Sequence, residues 1–309
     1  MPSLIVMDLR QLQAFLAVIE HGGFTAAAKA THTVQSNIST HVARLERELD
    51  ATLIDRATGN PTQEGDAVVT RVRRIQSELA SLEADVSALR GSLRGTVRIG
   101  VIGTTARWFT PILVDELTKV APEIRLVVAD GTTTSLTSRI LDGELDLGIV
   151  SLPADEPEIS SVPLFEEDHV LVGPEGHPLV QLGRPIELEE LAQHRLLLPI
   201  EASAFRKEIE QTFAEKNLRL KPQLEVDGLR LLATLAFQGF GVAIVPATAA
   251  PGWVGGPWTP IETQGLARRT VGLVTRRRGM PSVAAQRTIE IIRSIVAEQT
   301  PKVSGLHLP

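Results

Sequence analysis

The sequence predicts a protein of three parts: a helical N-terminal part, one long helix, and a two-lobed α/β part. Apolar residues up to about Gln63 follow the spacing of short helices, and the stretch from Asp66 to Arg90 contains no Gly or Pro. Beyond Gly95, strand-like runs alternate with helical ones, which is typical of α/β folds. With 309 residues, 43% of them hydrophobic, the chain is long enough for about two or three domains with their own cores.

Composition excludes several classes of function. The chain has no cysteine, which excludes a disulfide scaffold, a cysteine-based zinc site and a thiol redox switch. No signal peptide is visible and no apolar run reaches the ~18 residues of a membrane span, so we expect a cytoplasmic protein. The net charge of −6 argues against non-specific nucleic-acid binding.

The N-terminal part predicts three short helices. The first has one apolar face and ends at "HGGF", and Thr25 is expected to cap a short alanine-rich second helix. A turn at about Thr31 to Val34 then leads into a third helix. Its apolar positions are spaced by 4, 3 and 4 residues: Ile38, Val42, Leu45 and Leu49.

The opposite face of the third helix is polar. Ser36, Thr40 and Arg47 point away from the apolar side, with Asn37 and Arg44 beside them. Two helices joined by a short turn form a helix-turn-helix, whose second helix fits the DNA major groove. The alternative is an ordinary solvated helix face. Charge gives little support to DNA binding, because Met7 to Gln63 holds five basic and six acidic residues, a net charge of −1.

The long helix carries a narrow apolar seam. Its positions step alternately by four and three residues, as in a coiled coil: Val68, Val72, Ile75, Leu79, Leu82, Val86 and Leu89. We therefore predict a dimer contact through Val72, Ile75, Leu79, Leu82 and Val86. The alternative is a helix that lies on its own domain.

The remaining chain predicts mostly parallel sheets. Strands are expected at "TVRIGVI", "IRLVVAD", "LDLGIV", "HVLVGP", "RLLLPI" and "GVAIVP". Two of them lead into the hydroxyl-rich loops "GTTARWF" and "GTTTSL", each followed by a helix. Ligands of such folds bind at the strand ends, and helix starts with hydroxyl groups suit a carboxylate.

The stretch "MDLRQLQAFLAVIEHGGFTAAAKA…QSNISTHVARLERELDATLIDR" resembles the winged helix-turn-helix of LysR-type transcriptional regulators. The resemblance extends over the whole chain, since "GTVRIGV", "LDGELDLGIV", "EEDHVLVGPEGHPL", "LLLPIEASAF" and "LRLLATLAFQGFGVAIVP" resemble that family's effector-binding domain. It implies a bacterial sequence-specific regulator with a periplasmic-binding-protein-like (type 2) effector domain. The implied partners are double-stranded DNA, a small-molecule effector, further copies of the chain in a homodimer or homotetramer, and RNA polymerase, with no cofactor and no metal.

The resemblance and the helix pattern together give candidate site residues. For DNA they are Gln35, Ser36, Asn37, Ser39, Thr40, Arg44 and, in the wing, Arg56. For the effector they are Thr104, Thr105, Thr132 and Ser151 on one lobe and Pro199, Ile200, Glu201 and Phe240 across the cleft. Val34 stands where a capping serine is usual, so Thr33 is the alternative cap, and Asp50 replaces a usual glycine.

The expected domains are residues 1–65, a linker helix at 66–92 and an effector domain at 93–303. Its first lobe spans about 93–164 and 269–300 and its second about 165–268, with crossings near Pro163 to Glu166 and Ala267 to Thr270. Residues 1–6 are expected to be an extension. No catalytic motif is present, so an enzyme is not expected. The rival reading is a solute-binding protein without a transcriptional role.

Overall fold

The computed structural model of the protein describes residues 7–250, 252 and 255–309. The chain forms two compact units, one holding the chain up to Glu83 together with Leu141–Glu144, the other holding Ala84–Ile140 and Leu145–Pro309. The predicted extension at residues 1–6 lies outside the described residues.

The first unit is built from helices. They are α1 (Leu9–His21), α2 (Phe24–Ala30), α3 (Gln35–Leu49) and the beginning of α4 (Gln63–Leu89). An isolated antiparallel bridge joins Ile54 to Pro61. The apolar positions of all four helices meet in one core, which includes Leu12, Phe15, Leu16, Val18, Ile38, Val42, Leu45, Leu53, Ile54, Val69 and Val72. The spacing that predicted α1 and α3 therefore reflects this shared core.

The helix ends differ from the predicted caps. Helix α2 begins at Phe24 after Gly23, whose φ of 142° suits glycine, so Thr25 lies inside the helix and the prediction that it caps α2 is wrong. Val34 precedes α3 and makes no side-chain cap, while the Thr33 hydroxyl accepts a hydrogen bond from the Asn37 amide at 3.1 Å. Asp50 ends α3 in the left-handed region with φ of 50°, where a glycine is easily accommodated.

The apolar seam of helix α4 is buried near its beginning and exposed farther along the helix. Val72 is buried in the core of the first unit. Farther along, Leu82 is 61% exposed and Leu89 is 90% exposed. The start of the helix thus lies on its own domain, whereas its second half leaves apolar side chains in solvent.

The second unit contains the strands. They are β1 (Gly95–Ile102), β2 (Ile124–Gly131), β3 (Leu147–Ser151), β4 (Ile159–Glu167), β5 (His169–Pro174), β6 (Arg195–Pro199), β7 (Lys221–Val226), β8 (Ala243–Pro246), β9 (Trp258–Glu262), β10 (Arg269–Arg276) and β11 (Leu306–His307). One sheet has the order β11-β4-β10-β3-β1-β2, and the other has the order β7-β6-β8-β5-β9. Each sheet forms the centre of one lobe.

Helices connect and cover these strands. They are α5 (Gly103–Val120), α6 (Thr133–Leu141), α7 (Pro178–Gln181), α8 (Leu188–Leu191), α9 (Ala204–Glu215), α10 (Leu229–Phe237) and α11 (Val283–Gln299). Helix α11 packs against β1 and α5 in the first lobe. No helix among the described residues is long and apolar enough to cross a membrane.

The sheets are mixed, so the prediction of mostly parallel sheets is wrong. Strands β1, β2 and β3 are parallel, but β10 runs antiparallel to both β3 and β4, and β5 runs antiparallel to β8 and β9. The reason is the crossing between lobes. Strand β4 carries the chain out of the first sheet and β10 brings it back, so the two lie side by side in opposite directions, with Arg269 paired to Glu167. The first crossing comes after Glu167, slightly later than predicted.

Glu46 connects α3 to the segment that follows it. Its Oε1 accepts hydrogen bonds from the backbone N–H groups of Leu53 at 2.9 Å and Ile54 at 3.3 Å. Its Oε2 accepts a bond from Arg56 at 2.8 Å. Leu53 and Ile54 are fully buried, so their N–H groups have little access to water.

Replacement of Glu46 by alanine should lower the free energy of unfolding of the first unit by about 1–3 kcal/mol, since buried donors lose their acceptor. Urea unfolding followed by circular dichroism measures this. The control is Glu64→Ala, an exposed acid in the first turn of α4. Equal effects of the two substitutions would contradict the bridging role of Glu46.

Candidate DNA-reading face and effector cleft

The predicted DNA contacts of α3 lie together on one surface, which we call the reading face: Gln35, Ser36, Asn37, Ser39, Thr40 and Arg44. All are exposed except Ser39, which is half-buried. The opposite side of the helix, with Ile38, Val42 and Leu45, is buried. The reading face is therefore presented to solvent on a helix whose other side is fixed by the core.

Side chains of the reading face keep hydrogen-bonding capacity. The Thr40 hydroxyl donates to the Ser36 carbonyl at 2.8 Å, which leaves its oxygen able to accept. Amide and hydroxyl side chains of this kind pair with base edges or with phosphate oxygens. The absence of a side-chain cap at Val34 also leaves N–H groups of the first turn available for a phosphate.

Arg56 is held against its own domain. It forms an ion pair with Glu46 at 2.8 Å, and its guanidinium carbon lies 4.8 Å from the centre of the Phe24 ring. The loop after it is closed by hydrogen bonds from the Asp55 N–H to the Asn60 carbonyl at 2.9 Å and from the Gly59 N–H to the Asp55 carbonyl at 2.8 Å. The hydrogen bond from the Ala57 N–H lowers the pKa of the Asp55 carboxyl, which places an acid directly beside Arg56.

The predicted effector cleft lies where strands of both lobes end. Thr132 follows β2, and its side chain is exposed. Its hydroxyl also accepts the Ser135 N–H at 3.3 Å, so it caps the start of α6 as well. Ser151 ends β3, and its backbone N–H donates to the Thr133 hydroxyl at 3.2 Å. These loops belong to the first lobe.

Thr104 and Thr105 are placed deeper than expected. Thr104 is 3% exposed and Thr105 is fully buried. The Thr104 hydroxyl accepts a hydrogen bond from the Arg269 guanidinium at 2.9 Å. Thr104 and Thr105 thus face the interior at the start of α5, because the first turn of that helix packs onto the crossing between lobes.

A buried network at this crossing was not anticipated from the sequence. We call it the hinge network: Thr104, Glu167, Thr248 and Arg269. Arg269 is 6% exposed and pairs with Glu167, which is fully buried, through Nε at 2.8 Å and also through Nη2. The second oxygen of Glu167 accepts from the Thr248 hydroxyl at 2.8 Å and from its backbone N–H at 3.1 Å. The signal that could have found it is the pair of opposite charges, "EED" and "RRT", at the two predicted crossings.

His169 lies two residues after Glu167 in the chain. Burial lowers the pKa of His169 to about 4, and the neighbouring Arg269 guanidinium acts in the same direction. Its ring packs on Phe205, with the ring centres 5.2 Å apart. His169 is therefore neutral at pH 7 and adds no second positive charge beside Arg269.

The second lobe contributes the loop after β6. Pro199 is buried, and its carbonyl accepts a hydrogen bond from Arg206 at 3.0 Å. Ile200 donates its backbone N–H to the Val226 carbonyl at 3.1 Å, and Glu201 is exposed. Arg206 is itself 97% buried and holds Glu225 at 3.0 Å, so this loop is firmly anchored.

Phe240 lies apart from the predicted cleft. It follows the C-terminal end of α10 and precedes β8, whereas the cleft is predicted where β6, β7 and β8 end. Strands β6, β7 and β8 are parallel, so residues that precede β8 lie at the other end of these strands. Its ring is 59% exposed there.

A cavity of about 400 Å³ lies elsewhere in the second unit. It is bordered by the crossing, the segment after β8 and the C-terminal segment, including Trp108, Asp168, Thr248, Lys302 and Gly305. None of the predicted effector residues lines it.

Two family descriptions match this chain. Residues 9–66 match the bacterial regulatory helix-turn-helix protein of the lysR family, and residues 90–297 match the LysR substrate binding domain. The chain belongs to the LysR family.

Relatives and solved structures agree with this membership. The nitrogen assimilation regulatory protein nac of Klebsiella aerogenes is 30% identical over 312 residues, covering 98% of this chain and 99% of that protein. The LysR family regulator CbnR, in complex with its target DNA, is similar in fold with a TM-score of 0.69 and 25% identity, covering 93% of this chain and 99% of that chain. Full-length OxyR of Pseudomonas aeruginosa has a TM-score of 0.74 at 24% identity, covering 94% and 95% of the two chains, which concerns the fold alone.

Membership of the LysR family distinguishes between the two interpretations of the sequence, a transcriptional regulator and a solute-binding protein. The protein is a DNA-binding transcriptional regulator with an effector-binding domain. The alternative of a solute-binding protein without a transcriptional role does not account for the helix-turn-helix match, and the relatives are regulators. Among the described residues, no group of three or more acidic or histidine side chains is placed to hold a metal ion.

Replacement of Arg269 by methionine should lower the free energy of unfolding of this LysR effector domain by about 3–5 kcal/mol, because Glu167 is left charged and buried. Urea unfolding followed by tryptophan fluorescence reports this, since Trp108 is buried in the same unit. The double variant Arg269→Met, Glu167→Leu should recover most of the loss.

The matched control is Arg268→Met. Arg268 is the next residue and pairs with Asp168 at 2.8 Å, but it is 49% exposed, so its loss should cost about 0–1 kcal/mol. If Arg269→Met were as mild as this control, the hinge network would not hold the crossing together.

Proposed function

We propose that this LysR regulator reads its operator through the reading face of α3, as a homodimer that pairs through the exposed half of α4. A small organic acid bound in the effector cleft favours one arrangement of the lobes and so changes DNA binding. The observation that carries the proposal is a face of six polar side chains, five exposed and one half-buried, on a helix whose other side is buried.

Specificity in this proposal comes from base contacts rather than from charge. The N-terminal part has a net charge of −1, and Arg56 in the wing is paired to Glu46. Few phosphate contacts give weak non-specific binding. Two reading faces on a two-fold site double the base contacts, with half-sites about one helical turn apart or a multiple of it.

Substitution of both Ser39 and Thr40 by alanine should abolish specific binding, since lost base contacts cost about 1–3 kcal/mol each. Fluorescence anisotropy with DNA from upstream of the gene, against a scrambled competitor, measures the specific component. Circular dichroism checks the fold.

Thr118→Ala is the matched control. Thr118 is also exposed on a helix and also donates to the carbonyl four residues back, at 2.7 Å compared with 2.8 Å for Thr40. Undiminished operator affinity in the Ser39, Thr40 double variant would place the reading surface elsewhere.

The dimer contact is proposed for the second half of α4. Ile75, Leu82 and Val86 are 39%, 61% and 42% exposed, and together with Val72 and Leu79 they keep the alternating three- and four-residue spacing of a coiled-coil seam. Burial of such a seam against a second helix removes apolar surface from water, at about 25 cal/mol per Å². A homotetramer of two such pairs and contact with RNA polymerase are further parts of the proposal.

Leu82→Glu should convert the dimer to a monomer, because it places a charge in the centre of the seam. Sedimentation velocity of the full chain measures this. Met280→Glu, at a side chain that is 80% exposed outside α4, should leave the assembly unchanged. A Leu82→Glu protein that still sediments as a dimer at the same concentration would show that the chains pair by another surface.

The effector is proposed to be an acid because the cleft offers donors to an anion. Thr132 keeps an exposed hydroxyl at the end of β2, and α5 and α6 both begin at this side of the first lobe. Hydroxyl groups and helix starts favour a carboxylate. Ligand binding changes the lobe arrangement only if one arrangement binds it more tightly.

A further inference from the structure

An ion pair connects the two lobes beside the predicted effector residues. Asp130 is the last residue but one of β2 in the first lobe, and Arg230 lies in the first turn of α10 in the second lobe. The Arg230 Nη2 donates to the Asp130 Oδ2 although the two residues are 100 positions apart. The carboxylate and the guanidinium thus meet where strands of both lobes end.

Gly103 makes room for this pair. A side-chain carbon at Gly103 would lie 3.1 Å from the Arg230 Nε and 3.1 Å from the Asp130 Oδ1. Gly103 is the first residue of α5 and directly precedes Thr104, while Asp130 is two residues before Thr132. The pair therefore lies next to the loops that the sequence predicts to contact the effector.

The Asp130–Arg230 pair is exposed to solvent, unlike the hinge network. Arg230 is 58% exposed and Asp130 is 37% exposed, whereas Arg269 and Glu167 are buried. An exposed pair contributes little to stability, because water solvates both charges nearly as well. Asp130 and Arg230 can therefore each exchange the other for a charged group of a ligand.

The charges at this position favour a ligand with two charges of its own. A simple carboxylate that displaces Asp130 from Arg230 would leave Asp130 unpaired next to a second negative charge, which is unfavourable. A ligand with a carboxylate and a neighbouring ammonium group satisfies both residues. Arginine holds a carboxylate by two parallel hydrogen bonds, and a carboxylate accepts the bonds of an ammonium group.

We propose that Arg230 and Asp130 recognise an α-amino acid, with Arg230 binding its carboxylate and Asp130 its ammonium group. In the effector-free protein the two residues pair with each other in its place. This inference rests on the proposed function, since it names the chemical class of the effector that occupies the cleft. Bound amino acid then bridges the two lobes at the point where the ion pair joins them.

The test is thermal melting of the full chain against three matched sets of probes. The sets are the common L-amino acids, their N-acetyl derivatives, and the corresponding acids without the amino group. The expected result is that at least one L-amino acid raises the melting temperature in a concentration-dependent way, while its N-acetyl and deaminated counterparts do not.

Two variants and a control locate the site. Asp130→Asn and Arg230→Gln should each raise the dissociation constant of that amino acid at least about tenfold. Both variants should keep the fold, as circular dichroism would show, since an exposed pair contributes little to stability. Asp115→Asn removes another exposed acid from the first lobe, one paired to Lys119, and should leave the dissociation constant unchanged.

Three outcomes would overturn the proposal: no response to any L-amino acid, an equal response to the deaminated acids, or unchanged affinity in both variants. They also separate it from the proposed function. A response to acids without an amino group keeps an acid effector and rejects only the amino-acid class. No response to any of the three sets rejects both the amino-acid class and the acid effector, while specific operator binding tests the DNA-reading role independently.

Discussion

The effector domain depends on one buried ion pair, between Arg269 and Glu167. It joins the last residue of β4 to the first residue of β10, the two strands by which the chain leaves and re-enters the first lobe. It also reaches the start of α5 through Thr104 and the segment after β8 through Thr248. Charges are costly to bury, so such a pair persists only where the remaining hydrogen bonds are also made.

The buried pair of Arg269 and Glu167 and the exposed pair of Asp130 and Arg230 differ in how far a ligand can act on them. The hinge network is inaccessible to solvent and keeps the two crossings together, whereas Asp130 and Arg230 are partly in water and join the lobes weakly. A ligand acts on the equilibrium between lobe arrangements only through contacts that differ between them. In the proposed recognition of an amino acid the exposed pair supplies such a contact, while the buried pair keeps the two crossings together.

Much of the fold follows from sequence spacing, because spacing records which side of an element is buried. The apolar positions of α3 predicted both its buried side and the reading face, and the glycine-free stretch predicted α4. Spacing does not record strand direction, so the antiparallel return of β10 was missed. Nor does it record where a hydroxyl at a helix start will point: Thr104 faces Arg269 instead of solvent, and Arg56 turns back onto Glu46.

If occupancy of the cleft changes the arrangement of the lobes, as proposed, the distance between the lobes changes with it. The chain has no cysteine, so Ser138→Cys and Gln193→Cys, both at exposed positions, introduce only two labelling sites, one in each lobe. Electron paramagnetic resonance of spin labels at these sites gives the distribution of distances between them. A saturating concentration of the ligand found by thermal melting should shift this distribution. An unchanged distribution, while that ligand alters operator affinity, would contradict the proposal.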